Sequence, residues 1–204
     1  MKKMAAYQQL RIYLTRIFFG LLIVLLLISG GRFETESPIF CAVLFLGGCV
    51  LAGIASLGRL WCSLYIAGHK TKDLVVTGPY SICRNPLYFF SMLGGIGVGL
   101  ATETVTIPII IAVTFMLYYP YVIRFEEEKL RTVHSEQYEG YFKTTPQFWP
   151  RWSLLTEPED YIVNPKLFKR HMFSALWFIW LIGILEVIEA LREAGIMKTY
   201  FSIY

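Results

Sequence analysis

The stretch LYFFSMLGGIGVGLATETVTIPIIIAVTFMLYYPYVI, residues 87–123, decides the fold class of this chain. It contains two apolar runs, residues 87–101 and 105–123, which are separated only by the polar residues 102–104. Apolar runs of about this length are typical of helices that enter a membrane. The polar interruption leaves room for a turn and nothing more, so the stretch predicts a tight hairpin of two helices.

Small residues and prolines add detail to this hairpin. Four glycines lie between positions 94 and 99 of the first run. Because small residues let the backbones of neighbouring membrane helices approach closely, we expect this helix to pack tightly against another one. In the second run, Pro108 and Pro120 lie near the two ends, where prolines are expected to kink the helix.

The rest of the chain is also rich in apolar residues. Of its 204 residues, 55% are hydrophobic and only 17% are charged, and the mean hydropathy is +0.51. This composition excludes an ordinary water-soluble domain. Further apolar runs occupy residues 12–28, 39–57 and 173–191. The sequence therefore predicts an all-α integral membrane protein with about five transmembrane helices, the first of them retained and not cleaved as a signal peptide.

Basic residues are distributed unevenly over these five spans. The segments before span one, between spans two and three, and between spans four and five contain 16 of the 19 Lys and Arg residues when Arg16, near the start of span one, is counted with the first segment. Cytoplasmic flanks of membrane helices collect Lys and Arg. The N-terminus and two long polar segments, residues 59–86 and 124–152, are therefore predicted to be cytoplasmic, and the C-terminus is predicted to lie outside.

Motifs for metal or nucleophilic chemistry are absent from the sequence. Cys41, Cys49, Cys62 and Cys83 lack zinc-ligand spacing. We expect them to be small buried hydrophobic residues, with a disulfide between chain segments as the alternative. The three histidines are scattered, and no phosphate-binding glycine loop follows a strand. We expect neither a metal nor a nucleic acid as partner.

The polar segment 59–86 offers two features that could bind a ligand. Residues 74–77 form a short β-prone stretch that a Gly-Pro turn at 78–79 ends, and its backbone could bond a ligand as it would bond a strand. Asn85 and Pro86 stand in the order expected at a helix start, with Asn as the cap and Pro in the first turn. The alternative is that this helix start receives the carboxylate of a ligand.

The polar segment 124–152 begins with a run of charges. Glu126, Glu127 and Glu128 directly follow the fourth span. One interpretation is a solvated helix face, and the other is that one glutamate turns inward, since an acid at the membrane boundary is costly unless it binds something. Arg84 and Arg124 both lie beside a span, where arginines commonly bind lipid phosphates. A site, if present, is predicted where the two polar segments meet.

Five segments occur in a recognisable order on either side of the hairpin. They are LGRLW at 57–61, LVVTGPY at 74–80, RNPLY at 84–88, RFEE at 124–127, and a segment from Tyr138 through Pro146 to Pro150. Together they resemble the isoprenylcysteine carboxyl methyltransferase family. This group of membrane methyltransferases also includes phospholipid N-methyltransferases and small-thiol methyltransferases.

The resemblance implies a cytoplasmic S-adenosylmethionine site built from the loop before span three and the helix after span four. It implies catalytic roles for Arg124, which would orient the acceptor, and for Glu126, which would face the ammonium group of the cofactor. The cofactor-binding residues that it implies are Lys72, Asp73, Leu74, Val75, Tyr80, Asn85, Pro86, Leu87, Tyr88 and Glu126.

The expected activity is methyl transfer to a lipophilic acceptor, first of all carboxyl O-methylation of an isoprenylcysteine-like substrate. Phospholipid N-methylation and thiol S-methylation are alternatives within the same family. A sterol-type reductase that uses NADPH, or a non-enzymatic membrane scaffold that binds lipids, would be different classes of protein. Residues 1–56 are expected to form the first two spans, 57–152 the methyltransferase core, and 153–204 a linker and the fifth span, with the oligomeric state open.

Overall fold

The computed structural model describes residues 17, 20–21, 23–25, 28–31, 37–67 and 73–203. This part of the chain is mostly helical, in agreement with the predicted fold class. In chain order its elements are strand β1 (Ser29–Gly31), helices α1 (Pro38–Ile66), α2 (Pro79–Ile82), α3 (Pro86–Leu100) and α4 (Thr106–Thr144), a 3-10 turn (Trp152–Leu154), helices α5 (Pro165–Ala175) and α6 (Trp177–Glu193), and strand β2 (Phe201–Ile203).

Three helical segments of the described residues are long and apolar enough to cross a membrane: Pro38–Ile66, Thr106–His134 and Pro165–Glu193. The last combines α5 and α6. Helix α3, with 15 residues, is apolar but shorter than a usual span. Most of the first apolar run, residues 12–28, lies outside the described residues. The five-span arrangement and its cytoplasmic orientation therefore stay predictions.

The hairpin of α3 and α4 is confirmed. Glu103 turns the chain between the two helices with a φ of 55°, a left-handed conformation that is uncommon for residues other than glycine. The hydroxyl of Thr102 donates to the carbonyl of Gly99 at 2.7 Å, and it lies 2.9 Å from the hydroxyl of Thr104. These hydrogen bonds satisfy the polar groups of the short turn within the protein.

The glycines of α3 place its backbone directly against α1, as predicted. A Cβ atom added to Gly97 would lie 2.8 Å from the backbone nitrogen of Ala52, and one added to Gly48 would lie 2.6 Å from the carbonyl oxygen of Gly97. Real Cβ contacts are never this short, so only glycine fits at both positions. This close crossing places the end of α3 beside the first half of α1, and the contact of Gly58 with the Phe90 ring places the start of α3 beside the second half of α1.

Helix α4 continues for 21 residues beyond the predicted end of the fourth apolar run at residue 123. Pro120 lies inside this helix, which the structure describes as one element. Buried residues recur on one face after the span, among them Glu127, Tyr138 and Tyr141. The helix therefore extends from the apolar region and packs its continuation against the loop that precedes α3.

A short parallel strand pair joins two segments outside the described helices. Ser29 pairs with Phe201 and Gly31 with Ile203. The pairing joins the segment after the first apolar run to the C-terminal tail.

The described cysteines are free thiols, and no disulfide joins them. Cys41, Cys62 and Cys83 are buried, and Cys49 is half-buried. The prediction of small hydrophobic residues is confirmed, and the disulfide alternative is wrong for these four positions.

Candidate functional site

A cavity of about 160 Å³ lies where the two polar segments meet. Its walls come from the end of α1, the extended segment before α2, the residues around α2, and the part of α4 beyond the apolar run. The lining residues are Ile66, Asp73, Leu74, Val75, Tyr80, Arg84, Glu126, Lys129, Leu130 and Tyr141. The predicted meeting point of the two segments is therefore an actual cavity.

One wall is an extended backbone without a strand partner. Leu74 and Val75 line the cavity, and within the described part of the chain neither makes a backbone hydrogen bond. Gly78 ends the segment with a φ of 58°, and a Cβ there would lie 2.3 Å from the ring of Tyr65. Buried backbone groups are normally paired, so an unpaired stretch on a cavity wall is suited to a ligand with hydrogen-bonding groups.

The opposite wall carries charge from α4. Glu126 and Lys129 are three residues apart and both line the cavity, since residues at that spacing share a helix face. Among the residues that the structure describes, the carboxylate of Glu126 forms no hydrogen bond and no ion pair. A half-buried carboxylate without a protein cation is available to a cationic group of a ligand.

Two tyrosines hold the floor of the cavity. The hydroxyl of Tyr141 donates to the backbone carbonyl of Tyr80 at 2.6 Å, which ties the C-terminal part of α4 to α2. Burial raises the pKa of Tyr80 and of Tyr141 above the ordinary value. Both hydroxyls are therefore neutral at physiological pH and contribute hydrogen bonds and aromatic surface, not charge.

Glu127 is the glutamate that turns into the protein. Its carboxylate accepts from Arg84 Nε at 2.8 Å, from Asn85 Nδ2 at 3.0 Å and from Gln147 Nε2 at 3.0 Å. The Arg84 and Glu127 side chains are only 7% and 10% exposed. This ion pair joins α4 to the loop before α3 and holds Arg84 at the cavity wall.

The remaining donors of Arg84 are also used. Its Nη1 donates to the carbonyls of Phe142 at 2.9 Å and Thr145 at 2.6 Å. The guanidinium carbon lies 4.2 Å from the centroid of the Phe142 ring, within the range of cation-π contacts. Arg84 therefore organises this region from inside, contrary to the expectation that it binds lipid phosphates.

Five of the predicted site residues line the cavity: Asp73, Leu74, Val75, Tyr80 and Glu126. Lys72 lies outside the described residues. The roles implied for these residues stay predictions, and so do the roles of those that lie elsewhere.

The residues at the start of α3 and Arg124 lie away from the cavity lining. Pro86 is fully buried, Leu87 packs on an apolar cluster around Cys62, and the Tyr88 ring lies 5.0 Å from that of Tyr119. Arg124 is exposed on α4.

Asn85 occupies the N-cap position of α3, but its side chain makes no capping hydrogen bond. The predicted N-cap position is therefore confirmed, but the side chain does not cap the helix; its amide nitrogen donates to Glu127 and to the backbone carbonyl of Gln147. Pro86 does stand in the first turn, as predicted.

Sequence reasoning missed Glu127 and five cavity residues, Ile66, Arg84, Lys129, Leu130 and Tyr141. One signal could have found part of this set. Ile123, Glu127, Leu130, Tyr138 and Tyr141 recur at helical spacing beyond the fourth apolar run, which predicts a buried face and selects Glu127 as the inward glutamate.

Comparison with known proteins places the chain among membrane methyltransferases. The sequence profile described as "Phospholipid methyltransferase" matches residues 39–137. The nickel-cobalt-cadmium resistance protein NccN of Alcaligenes xylosoxydans xylosoxydans is 36% identical over 87% of this chain and 83% of its own length. The cobalt-zinc-cadmium resistance protein CzcN of Cupriavidus metallidurans is 34% identical over 95% of this chain and 88% of its own.

No solved structure matches the chain. The family match covers α1, α2, α3 and most of α4, and it includes every residue of the cavity lining except Tyr141. The resemblance to this family of membrane methyltransferases is confirmed. The chain therefore belongs to the phospholipid methyltransferase family.

Proposed function

We propose that this protein transfers a methyl group from S-adenosylmethionine to a lipophilic acceptor at the cavity between α1, α2 and α4. The proposal rests on two features on opposite sides of one cavity. The backbone of Leu74 and Val75 makes no backbone hydrogen bond among the described residues, and the carboxylate of Glu126 has no hydrogen-bond or ion-pair partner there. Membership of a methyltransferase family supports the reaction type.

The residues present fit this cofactor. Glu126 suits the ammonium of its amino-acid part, since a charge-assisted hydrogen bond is about twice as strong as a neutral one. The unbonded backbone of residues 74 and 75 suits hydroxyl and amine groups. The aromatic face of Tyr80 suits a flat base or a positively charged sulfur.

The cofactor supplies a methyl group that is already activated by the positive charge on sulfur. The chain then has to align the acceptor with that methyl and exclude water. Ile66, Leu130 and Tyr141 provide apolar and aromatic walls for this purpose. A carboxylate or thiolate acceptor carries no proton that must be removed, so these residues need not supply a strong base.

We propose a carboxylate as the acceptor group, with an isoprenylcysteine-like molecule as the first candidate. The support is electrostatic, because Lys129 lines the cavity and its side-chain amine has no hydrogen bond or ion pair among the described residues. Arg124 stays our candidate for orienting the acceptor. A phospholipid amine and a small thiol are the alternatives, and they predict different products.

The names of the two relatives suggest a cellular role. We propose that the methylated product supports growth in the presence of metals such as cobalt and cadmium. Cells that carry the Glu126→Gln variant would then grow as poorly on cadmium salts as cells without the protein. Growth equal to that of the parent would contradict this role.

The binding test compares two neighbouring glutamates. The Glu126→Gln variant removes the carboxylate from the cavity, and we expect its affinity for S-adenosylmethionine to fall by about tenfold or more, measured by calorimetry on the purified protein. Glu128→Gln is the matched control, because Glu128 is exposed and lies outside the cavity lining. An NADPH titration under the same conditions tests the reductase alternative.

Equal affinity of the Glu126→Gln variant and the parent would contradict the proposed site, and no binding by the parent would contradict the proposed function. Membranes incubated with methyl-labelled cofactor then identify the acceptor. A carboxyl ester is expected to release its label in base, whereas a methylated amine or thiol would retain it. Label in the Glu126→Gln membranes is expected to be strongly reduced.

A further inference from the structure

Arg59 is a second cationic centre, on α1 and outside the cavity lining. Its Nη1 donates to the hydroxyl of Ser91 on α3, and its Nη2 donates to the hydroxyl of Ser174 on α5 at 3.1 Å. The guanidinium carbon also lies 5.7 Å from the centroid of the Phe178 ring on α6. The side chain therefore lies where four helices meet.

No carboxylate balances this charge within the described part of the chain. Arg84 and Arg131 are paired there with Glu127 and Glu139, whereas Arg59 contacts only hydroxyls and an aromatic ring. Its Nε is buried and has no acceptor. An uncompensated cation in an apolar helical region is costly unless an anion approaches it.

Ser174 adds a hydroxyl donor beside the guanidinium, whereas Ser91 only accepts from it. Ser91 is nearly buried and uses its own proton on the carbonyl of Leu87 at 2.6 Å. Ser174 is exposed, so the cluster opens on the α5 side. A guanidinium fork beside a hydroxyl matches the geometry of a phosphate group, which has several acceptor oxygens.

The cluster also lies close to the cavity. Arg59 precedes Ile66, which lines the cavity, by seven residues on the same helix. At 1.5 Å per residue this is about 10 Å along the helix axis. The surrounding faces of α1 and α6 are apolar and exposed, for example at Leu57 and Trp177, as expected where acyl chains lie beside a protein.

We propose that Arg59 and Ser174 bind the phosphate group of a phospholipid, with Ser91 holding the guanidinium in place. Two sources share this chemistry: a resident lipid that stays bound, and a phospholipid that serves as the methyl acceptor. The second source rests on the proposed function, and the first does not. In both cases the phosphate neutralises Arg59 and the acyl chains lie against the apolar helix faces.

The test measures lipid binding to the purified full-length protein in detergent. Phosphatidylglycerol, phosphatidylethanolamine and inorganic phosphate are titrated separately, and the bound amount is followed by native mass spectrometry for the lipids and by thermal shift for all three. The variants are Arg59→Gln, Arg59→Lys and Ser174→Ala. Arg170→Gln is the matched control, because it removes an exposed arginine from α5 four residues before Ser174.

We expect the affinity for phospholipid to fall about tenfold in the Arg59→Gln variant, and less in the other two test variants, because each keeps part of the donor set. The control is expected to bind like the parent. If the Arg59→Gln variant loses affinity equally for phosphatidylglycerol and phosphatidylethanolamine, the bound molecule is a resident lipid. If only the affinity for phosphatidylethanolamine falls, and the parent methylates this lipid, then phosphatidylethanolamine is the methyl acceptor.

Unchanged lipid affinity in Arg59→Gln, or an equal loss in Arg170→Gln, would overturn the proposal. Inorganic phosphate that binds as tightly as the lipids would overturn the assignment to a lipid headgroup. Calorimetry with S-adenosylmethionine on the same variants separates the two proposals. Normal cofactor binding by Arg59→Gln shows that the variant is folded, whereas a parent that binds lipid through Arg59 but no cofactor would contradict only the methyltransferase function.

Discussion

Adjacent glutamates have different environments in this protein, because a helix turns by about 100° per residue. Glu126 lines the cavity and Glu127 is buried against Arg84, Asn85 and Gln147. Glu128, the third, is exposed. The charge of one residue is thus available to a ligand, while that of its neighbour holds two polar segments together.

The Glu127→Ala variant tests this division at the residue scale. It leaves Arg84 buried without its carboxylate, which is expected to lower the free energy of unfolding by about 3 kcal/mol. The exposed pair of Arg131 and Glu139 provides the control, since Glu139→Ala is expected to cost at most about 1 kcal/mol. Thermal unfolding in detergent measures both variants. Equal effects would show that the buried pair has no special structural role.

Helix α3 depends on its glycines for its contact with α1, and this contact belongs to the scale of elements. The Gly97→Ala variant places a methyl group 2.8 Å from the backbone of α1. We expect it to separate the helices and to destabilise the protein by about 1–3 kcal/mol.

Gly53→Ala is the matched control on α1, because a Cβ there meets no atom within 4 Å. That variant is expected to be neutral, or stabilising by up to about 1 kcal/mol through helix propensity. Melting temperatures in detergent distinguish the two variants. A Gly97→Ala protein that melts like the parent would contradict the close crossing.

Apolar run length was sufficient to predict the helices of the hairpin. The predicted run 87–101 and the observed α3, Pro86–Leu100, differ by one residue at each end. The end of α4 was not predictable in the same way, since charges after residue 123 mark the end of an apolar run but not the end of a helix. Its continuation depends on the buried face that includes Tyr138 and Tyr141.

The candidate site was predictable in part for a related reason. Asp73, Leu74, Val75, Tyr80 and Glu126 lie in segments with a recognisable pattern, and they line the cavity. The inward glutamate could be chosen among the three only by following the helical spacing of buried residues beyond residue 123, and that spacing does not name Arg84 as its partner. The order Asn-Pro predicted the position of Asn85 at the start of α3, but it could not reveal that the side-chain amide donates to a distant carboxylate.

At the scale of the whole molecule, the distribution of Lys and Arg predicts which side of the membrane each segment occupies. Single cysteines at two exposed positions, Glu157→Cys and Lys198→Cys, test this with a membrane-impermeant maleimide. We expect the second to react in intact cells and the first only after permeabilisation. The native cysteines are buried or half-buried and should give a low background. The reverse labelling pattern would contradict the predicted orientation.

The strand pair β1–β2 requires an even number of membrane crossings between its two strands. Because Ser29–Gly31 is hydrogen-bonded to Phe201–Ile203, both segments must lie on the same side, and the chain between them has to cross an even number of times. Three crossings come from the long helical segments if each one spans the membrane: Pro38–Ile66, Thr106–His134 and Pro165–Glu193. The fourth must then be α3, so a helix of only 15 residues has to traverse the bilayer, about 22 Å by its own length. The membrane would be locally thin beside α3, which would bring lipid headgroups closer to the protein than a bilayer of ordinary thickness allows.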